Sequence, residues 1–393
     1  MVTDTERWIN PKILRWARER MNLSPKQVEE LTDKLGHKVG TGDLSAWEEG
    51  GKEPELYDLE VLAETYACPV GYFMLDEPPH EELPLDFRGL ASTKMSSLSY
   101  ESRLRLREFL TLTDYLIFLV REIGGPSVQI GSATLGDDTA KIAARERERL
   151  GLSLESRQQM GSAQIALETC RKNLESLGVF VISLRLNPKE IRGGSRWDPP
   201  GPPAILVNEA DAEFAAGRLF TLLHEYAHLL VRRAGIICDF RGQEPQMEHF
   251  ANAFAAEVLV PRAEFKEFLV REGLYKKRDR WGDPLLDRIR SPFLASRDVV
   301  AILLEEVGLA RRGFYAEKAR MWDSRRPFIP RGAPGPRRRM TKFDRKRSQF
   351  GLAFTKLIVA GYDRGLVSPL DLAELLDTRM EKAEEFVSWA REG

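Results

Sequence analysis

The amino-acid sequence predicts an α+β fold that is mainly α with a small β-sheet, and three observations lead to this prediction. Apolar residues recur at helical spacing along most of the chain. Two short apolar runs, at 178–182 and 204–208, have the length and composition of buried strands. Residues 214–230 and 244–260 then read as two helices, the second of which ends before Pro261. We therefore expect one small sheet packed among helices.

The composition is typical of a soluble protein with two or three domains. Of the 393 residues, 42% are hydrophobic and 30% are charged, and the formal net charge is −1. The apolar helical stretches are shorter than the about 20 residues that a membrane span needs, and no signal peptide is visible. Cys68, Cys170 and Cys238 are dispersed and are expected to be reduced and inert. We expect a cytoplasmic protein without a membrane partner.

Residues 224–228 form a His-Glu-x-x-His motif. A helix turns about 100° per residue, so His224 and His228 lie on one face and can hold one metal ion. Glu225 lies at the edge of that face, where a carboxylate can take a proton from a metal-bound water. Because the chain has only five histidines, a chance match is on the order of one in a few hundred. The motif indicates a metal-dependent hydrolase, and two core histidines without a metal are the alternative.

A catalytic zinc takes three protein ligands and leaves the fourth position to water, so a third donor is needed. The helix before Pro261 offers Glu248 and Asn252, which share a face at the i, i+4 spacing. Glu248 is the predicted third ligand, and Asn252 is predicted to support the site from behind the ligands. His249 is the alternative third ligand, because it lies about 100° around the helix and only one of the two can face the metal.

The chain resembles the ImmA/IrrE-type zinc metallopeptidases in the runs 218–228 and 248–256 and in Pro261. The resemblance begins near Ala163, continues through both strand runs, and includes the segment 192–195. It implies a zincin-like metallopeptidase core, preceded and followed by helical segments.

The same resemblance implies roles for individual residues. In that family the two helix histidines and a glutamate of the next helix bind zinc, and the glutamate between the histidines is the general base. His224, His228 and Glu248 would therefore hold one zinc ion per chain, with Glu225 as the base. Members are typically narrow endopeptidases that cut a repressor or other regulatory protein in stress responses, mobile elements or toxin-antitoxin-like settings. A protein substrate of that kind is the implied partner.

The donor set itself predicts the chemistry. Two neutral imidazoles and one carboxylate leave a zinc site with residual positive charge, which lowers the pKa of a bound water toward about 7. Glu225 then accepts the proton and passes it to the leaving amine. No residue can be assigned to stabilise the oxyanion. The strand Ile205–Val207 is either an edge on which a substrate peptide pairs or a central core strand.

The start of the chain predicts a compact helical domain. Asn10-Pro11 opens one helix, and residues 24–27 form a capping box with proline at the first helical position. The pattern from Leu44 to about Leu75 resembles the second half of an Xre/Cro-type helix-turn-helix domain.

In such domains one helix enters the major groove of DNA, here roughly residues 41–48. That helix offers Thr41, Asp43 and Ser45 to DNA but carries no arginine or lysine. The turn before it is about two residues longer than the family pattern. Residues 9–75 hold eight basic and twelve acidic side chains, whereas affinity for DNA usually rests on neutralising phosphates. A dimerisation or partner-docking module is the alternative to DNA binding.

The predicted domains are 1–76 (Xre/Cro-like helix-turn-helix), 77–155 (helical connector), 156–320 (ImmA/IrrE-like peptidase), 321–348 (basic linker) and 349–393 (C-terminal helical segment). Residues 325–347 contain ten arginines or lysines and one acid, Asp344, so they form a solvated linker or bind DNA or an acidic partner. A second interpretation of the whole chain is a transcriptional regulator without catalysis. It would bind DNA or a partner, and its metal site would be structural or sensory.

Overall fold

The computed structural model describes residues 8–79, 86–88, 98–188, 190–210, 215–233, 244–278, 280–325 and 341–392. Two expectations lie outside these residues: the state of Cys238 and the behaviour of most of the basic segment 325–347. Contacts divide the chain into two compact units. The first unit comprises residues 1–83 and 92–110, and the second comprises 84–91 and 111–393.

The described residues are mainly helical. Their α-helices are α1 (Pro11–Arg20), α2 (Pro25–Lys34), α3 (Thr41–Glu48), α4 (Leu56–Tyr66), α5 (Tyr100–Ile123), α6 (Thr139–Arg149), α7 (Leu154–Met160), α8 (Ala163–Ser176), α9 (Ala215–Arg233), α10 (Glu244–Leu259), α11 (Arg262–Arg271), α12 (Asp283–Arg290), α13 (Arg297–Glu306), α14 (Phe314–Arg325), α15 (Lys342–Phe350), α16 (Leu352–Asp363), α17 (Pro369–Leu375) and α18 (Met380–Glu392). The strands are β1 (Asp86–Arg88), β2 (Phe180–Leu184), β3 (Gly193–Arg196) and β4 (Ala204–Asn208). One small sheet among helices confirms the α+β prediction. Within the described ranges, no helix combines the length and apolar character that crossing a membrane requires.

The first unit packs α1 to α4 around a shared apolar core. The predicted helix starts are confirmed, because the Asn10 side chain caps α1 and Ser24 and Gln27 form a capping box at α2. Buried Glu48 of α3 accepts two hydrogen bonds from the Arg18 guanidinium of α1, at 2.6 and 2.8 Å. The core residues include Ile13, Leu14, Val28, Leu44, Trp47, Leu62, Tyr66 and Phe73.

The sheet has the strand order β1-β3-β4-β2. Strand β4 runs parallel to β2 on one side and antiparallel to β3 on the other, and all five of its residues are buried. The strand predicted at 204–208 is therefore confirmed, and it is a central strand with no free edge. The strand predicted at 178–182 begins two residues later, at Phe180.

The two outer strands of the sheet differ in what covers them. Strand β1 pairs antiparallel with β3 and is one outer strand. Strand β2 is the other, and α15 packs against it. The Arg171 guanidinium of α8 donates to the Gln349 carbonyl at 3.2 Å, and Glu175 accepts from the Ala353 N–H at 3.1 Å. These contacts fasten the C-terminal segment to α8 beside β2.

Helix α9 contacts the sheet at β3 and β4 and also contacts α8 and α10. Its apolar stripe is buried. The buried stripe consists of Leu219, Phe220, Leu222, Leu223, Leu229 and Leu230. A helix buried on nearly every side is held in position by its packing, so its polar side chains have fixed directions.

Candidate metal centre

Three side chains from α9 and α10 converge on one point. The Nε2 atoms of His224 and His228 lie 3.2 Å apart. Glu248 places Oε2 at 3.4 Å from His224 Nε2 and Oε1 at 3.5 Å from His228 Nε2. Among the residues that the structure describes, these three form the group of histidine and carboxylate donors able to hold a metal ion.

The distances between the donors fit a zinc ion. Zinc binds histidine nitrogen and carboxylate oxygen at about 2.0–2.2 Å, so two ligands at tetrahedral corners lie roughly 3.3–3.5 Å apart. The observed separations of 3.2, 3.4 and 3.5 Å have that size. Two imidazoles and one carboxylate are the three protein ligands of a catalytic rather than a structural zinc site, whose fourth position is taken by water.

The protonation of Glu248 suits a metal ligand. Burial disfavours its charged form, but the two neighbouring imidazoles outweigh burial and hold the pKa of Glu248 well below its usual range. The carboxylate is therefore ionised, as coordination requires.

Asn252 lies directly behind one ligand. Its Oδ1 is 3.1 Å from His224 Nδ1 and accepts a hydrogen bond from that nitrogen. A proton held on Nδ1 leaves the lone pair of Nε2 for a metal, which fixes both the tautomer and the orientation of the ring. This is the position that the sequence predicted for Asn252.

His249, the alternative third ligand, lies outside the cluster. Its side chain is 77% exposed and its Nε2 is 3.7 Å from Glu306 Oε1. One step along α10 rotates a side chain by about 100°, so Glu248 and His249 face different directions. The structure brings Glu248, and not His249, to the two histidines.

Glu225 is fully buried where α9 crosses β3. A Cβ placed on Gly193 of β3 would lie 3.2 Å from Glu225 Cγ and 2.5 Å from Thr221 Cγ2. Only glycine leaves room for α9 to approach the strand this closely. Gly193 and Thr221 are thus site residues that the sequence reasoning did not select, although the Gly-Gly pair at 193–194 was the available signal.

A buried hydrogen bond joins α9 to α6 on the side of α9 opposite His224 and His228. The Tyr226 hydroxyl donates to Glu146 of α6 at 2.8 Å, and Arg145 pairs with the same carboxylate at 2.7 Å. Burial raises the pKa of Tyr226, so its hydroxyl stays protonated and remains a donor. The sequence did not predict this role of Glu146, because an acidic residue between two arginines is typical of an exposed helix face.

The residues predicted to face DNA lie on α3. Asp43 and Ser45 are exposed and Thr41 is half-buried. Asp43 pairs with Lys52 at 3.3 Å, and the Ser45 hydroxyl donates to the Thr41 carbonyl at 2.9 Å. The exposed face of α3 therefore presents polar groups and one acid, with no cation of its own.

The fold and the site define a class of protein: an α+β domain with a His-Glu-x-x-His helix and a third carboxylate donor, the arrangement of metallopeptidases. The peptidase M78 profile, described as the IrrE N-terminal-like domain, matches residues 174–304. This range includes β2 to β4, α9, α10 and all three candidate ligands. The match supports a metallopeptidase of the ImmA/IrrE kind. No curated protein and no solved structure matches the chain.

Proposed function

We propose that the chain is a zinc-dependent endopeptidase that cleaves a repressor or another regulatory protein. The observation that carries this proposal is the convergence of His224, His228 and Glu248 at zinc-ligand spacing, with Glu225 on the same helix beside them. The match of the surrounding residues to a peptidase family supports it independently.

Each of these residues has its own role in peptide hydrolysis. A bound zinc ion would supply Lewis acidity and acidify the attacking water. Glu225 accepts the proton of that water on its carboxylate and delivers it to the leaving nitrogen. Asn252 keeps the His224 ring in the tautomer that exposes Nε2. The hydrogen bond from Tyr226 to Glu146 fixes the rotation of α9 about its axis.

Burial of the site favours a narrow choice of substrate. His224 is fully buried, His228 is 7% exposed and the Glu248 side chain is 27% exposed, so solvent reaches the donors chiefly at Glu248 and a folded surface cannot cover all three of them. A substrate must present an extended or locally unfolded segment. This requirement suits cleavage of a single regulator in a stress response, a mobile element or a toxin-antitoxin-like setting, inside the cytoplasm.

DNA is proposed as a second partner, bound through the Xre/Cro-like unit or the basic segment 325–347. The ten cations of that segment support it, and the excess of acids in residues 9–75 opposes binding through the first unit. A shift assay across salt concentrations, on the chain with and without residues 1–76, separates the two routes. A salt-sensitive shift that survives the deletion points to the basic segment, and no shift removes DNA from the proposal.

The test of the peptidase is zinc content combined with cleavage. We expect about one zinc per chain in the wild type, loss of zinc in His228→Ala and Glu248→Ala, and retention of zinc in the neighbouring control His249→Ala. Glu225→Gln keeps the ligands but removes the base, so it should bind zinc and produce no new protein N-termini when expressed in cells.

The same experiment tests the rival function. If Glu225→Gln keeps the full cellular phenotype while zinc is bound, the metal is structural or sensory and the chain is a regulator without catalysis. If zinc is absent from the wild type or persists in Glu248→Ala, the assigned site is wrong.

A further inference from the structure

A groove runs over the C-terminal helices α15, α16 and α18. It encloses about 240 Å³, and residues of all three helices line it. Helix α16 contacts both α15 and α18, so the packing of the three helices sets the shape of the groove. A water-sized group takes about 30 Å³, so the groove holds roughly eight to ten non-hydrogen atoms. This is the size of a small ligand rather than of a folded partner.

Part of the lining is apolar and open to solvent. Leu352, Val359 and Ala390 contribute carbon surface to the groove, and Leu352 is 42% exposed. Thr355 also lines the groove, but its hydroxyl already donates to the Gly351 carbonyl at 2.7 Å. Removing exposed apolar surface from water is favourable. The lining therefore suits an alkyl chain.

Three cations and one acid also line the groove. Arg391 pairs with Asp363, so these two charges balance each other. The Arg347 guanidinium lies over the Trp389 ring, 4.7 Å from its centroid. Lys356 is exposed and forms no ion pair with any residue in the described ranges. The groove therefore carries an excess of positive charge.

The charge of Arg347 is only partly balanced by an acid of its own helix. One guanidinium nitrogen of Arg347 is 3.8 Å from Asp344 Oδ1, which is longer than a hydrogen bond. The other oxygen of Asp344 accepts hydrogen bonds from the Thr341 N–H and hydroxyl, at 3.1 and 2.7 Å, and so belongs to the cap of α15. An anion in the groove therefore has Lys356 and Arg347 as its available cations.

We propose that this groove binds a small aliphatic carboxylate of about six to eight carbons. The alkyl chain would lie against Leu352 and Val359, and the carboxylate would face Lys356 and Arg347. An apolar cavity with a few charged groups that fix the orientation is the usual form of a small-ligand site. The groove shares no residue with the metal centre, so this ligand goes beyond the proposed peptidase function and does not depend on it.

The test is calorimetric titration of the full-length chain with straight-chain carboxylates. Each buried methylene adds roughly fourfold in affinity, so octanoate should bind about fifteenfold more tightly than hexanoate. The gain should stop between octanoate and dodecanoate, because the groove is then full. Octanol and octylammonium test the contribution of charge. Both should bind more weakly than octanoate, and octylammonium should bind most weakly because like charges repel.

Two variants test whether the ligand lies in this groove. Lys356→Met removes one charge from an exposed side chain, so it should keep the Tm and weaken octanoate binding about two- to fivefold, without an effect on octanol. Lys266→Met is the matched control, because it makes the same change on an exposed lysine of α11, outside the groove. Ala390→Leu takes the room of about three methylenes and should weaken octanoate and octanol alike, by roughly tenfold or more.

Several outcomes would overturn the proposal. One is the absence of octanoate binding to the wild type. Another is an affinity that keeps rising with each methylene beyond octanoate, because that is adsorption to apolar surface rather than filling of a cavity. Equal octanoate affinity in Lys356→Met and Lys266→Met would refute the placement of the carboxylate. If Ala390→Leu lowers the Tm, the comparison of the two lysine variants decides the question alone.

Discussion

Replacing Gly193 by alanine should destabilise the second unit and displace the proposed base. The added Cβ would lie 2.5 Å from Thr221 Cγ2, 3.1 Å from the Leu206 carbonyl oxygen and 3.2 Å from Glu225 Cγ. Carbon atoms pack favourably at about 3.5–4.0 Å, so the closest contact requires a shift of about 1 Å. Thr221 is fully buried and β3 is held between two strands, which leaves little room for that shift.

The expected magnitude follows from the cost of overpacking. Overfilling a buried site costs about 1–3 kcal/mol, which corresponds to roughly 2–12 °C in Tm for a unit of this size. A displacement of about 1 Å at the base can lower turnover by up to about a hundredfold. Zinc content should change little, because Gly193 adjoins Glu225 and not the ligands. Thermal unfolding and cleavage are measured beside Gly136→Ala, a control whose added Cβ has nothing within 4 Å.

Thr221→Ser supplies the matched rescue, because it removes Cγ2 and keeps the hydroxyl. In the double variant the 2.5 Å overlap disappears, so a double-mutant cycle between Gly193→Ala and Thr221→Ser should give a favourable coupling of about 1 kcal/mol or more. Additive effects, or a Gly193→Ala variant as stable as Gly136→Ala, would refute the close approach of α9 to β3.

Three further results are expected. Asn252→Ala removes the acceptor behind His224, so zinc affinity measured against a competing chelator should fall about 10- to 100-fold, while Asn252→Asp keeps most of it. Hydrogen bonds from Arg297 lower the pKa of Asp287 to about 2, so this pair stabilises the fold above the unfolded pKa of about 4 and is lost as the pH falls toward 2. Because both side chains are about one-third exposed, Asp287→Asn should cost only about 1 kcal/mol at pH 7 in denaturant unfolding, and close to nothing at about pH 1, below the pKa of Asp287 in the folded chain. Burial raises the pKa of the Cys170 thiol, so iodoacetamide should modify it only after unfolding; modification of the native protein would contradict its burial.

Much of the metal centre could be predicted from local spacing. Helical periodicity alone places His224 with His228, and Glu248 with Asn252, since both pairs are four residues apart on one helix. Spacing could not decide between Glu248 and His249, because that choice depends on how α10 is rotated against α9. The rotation is set by packing of the whole helix pair, which no local pattern records.

The sheet was predictable only in part. Strand β4 is an apolar run, and its composition identifies it. Strand β3 begins with two glycines and shows no apolar alternation, so no sequence pattern favours a strand there. Its pairing with β1 joins residues far apart in the chain, and pairing at that distance depends on tertiary structure. For the same reason, the sequence alone could not predict the contact of Gly193 with Glu225.

The attachment of the C-terminal segment to α8 has a consequence for how the peptidase region can be isolated. The family match ends at residue 304, yet Arg171 and Glu175 bind backbone groups of residues 349 and 353. Phe180 of β2 is buried, with its ring centroid 6.4 Å from that of Phe354. A fragment cut to the matched range would expose this aromatic side chain and an unpaired strand edge to solvent. Such a fragment should self-associate, because α15 no longer packs against β2.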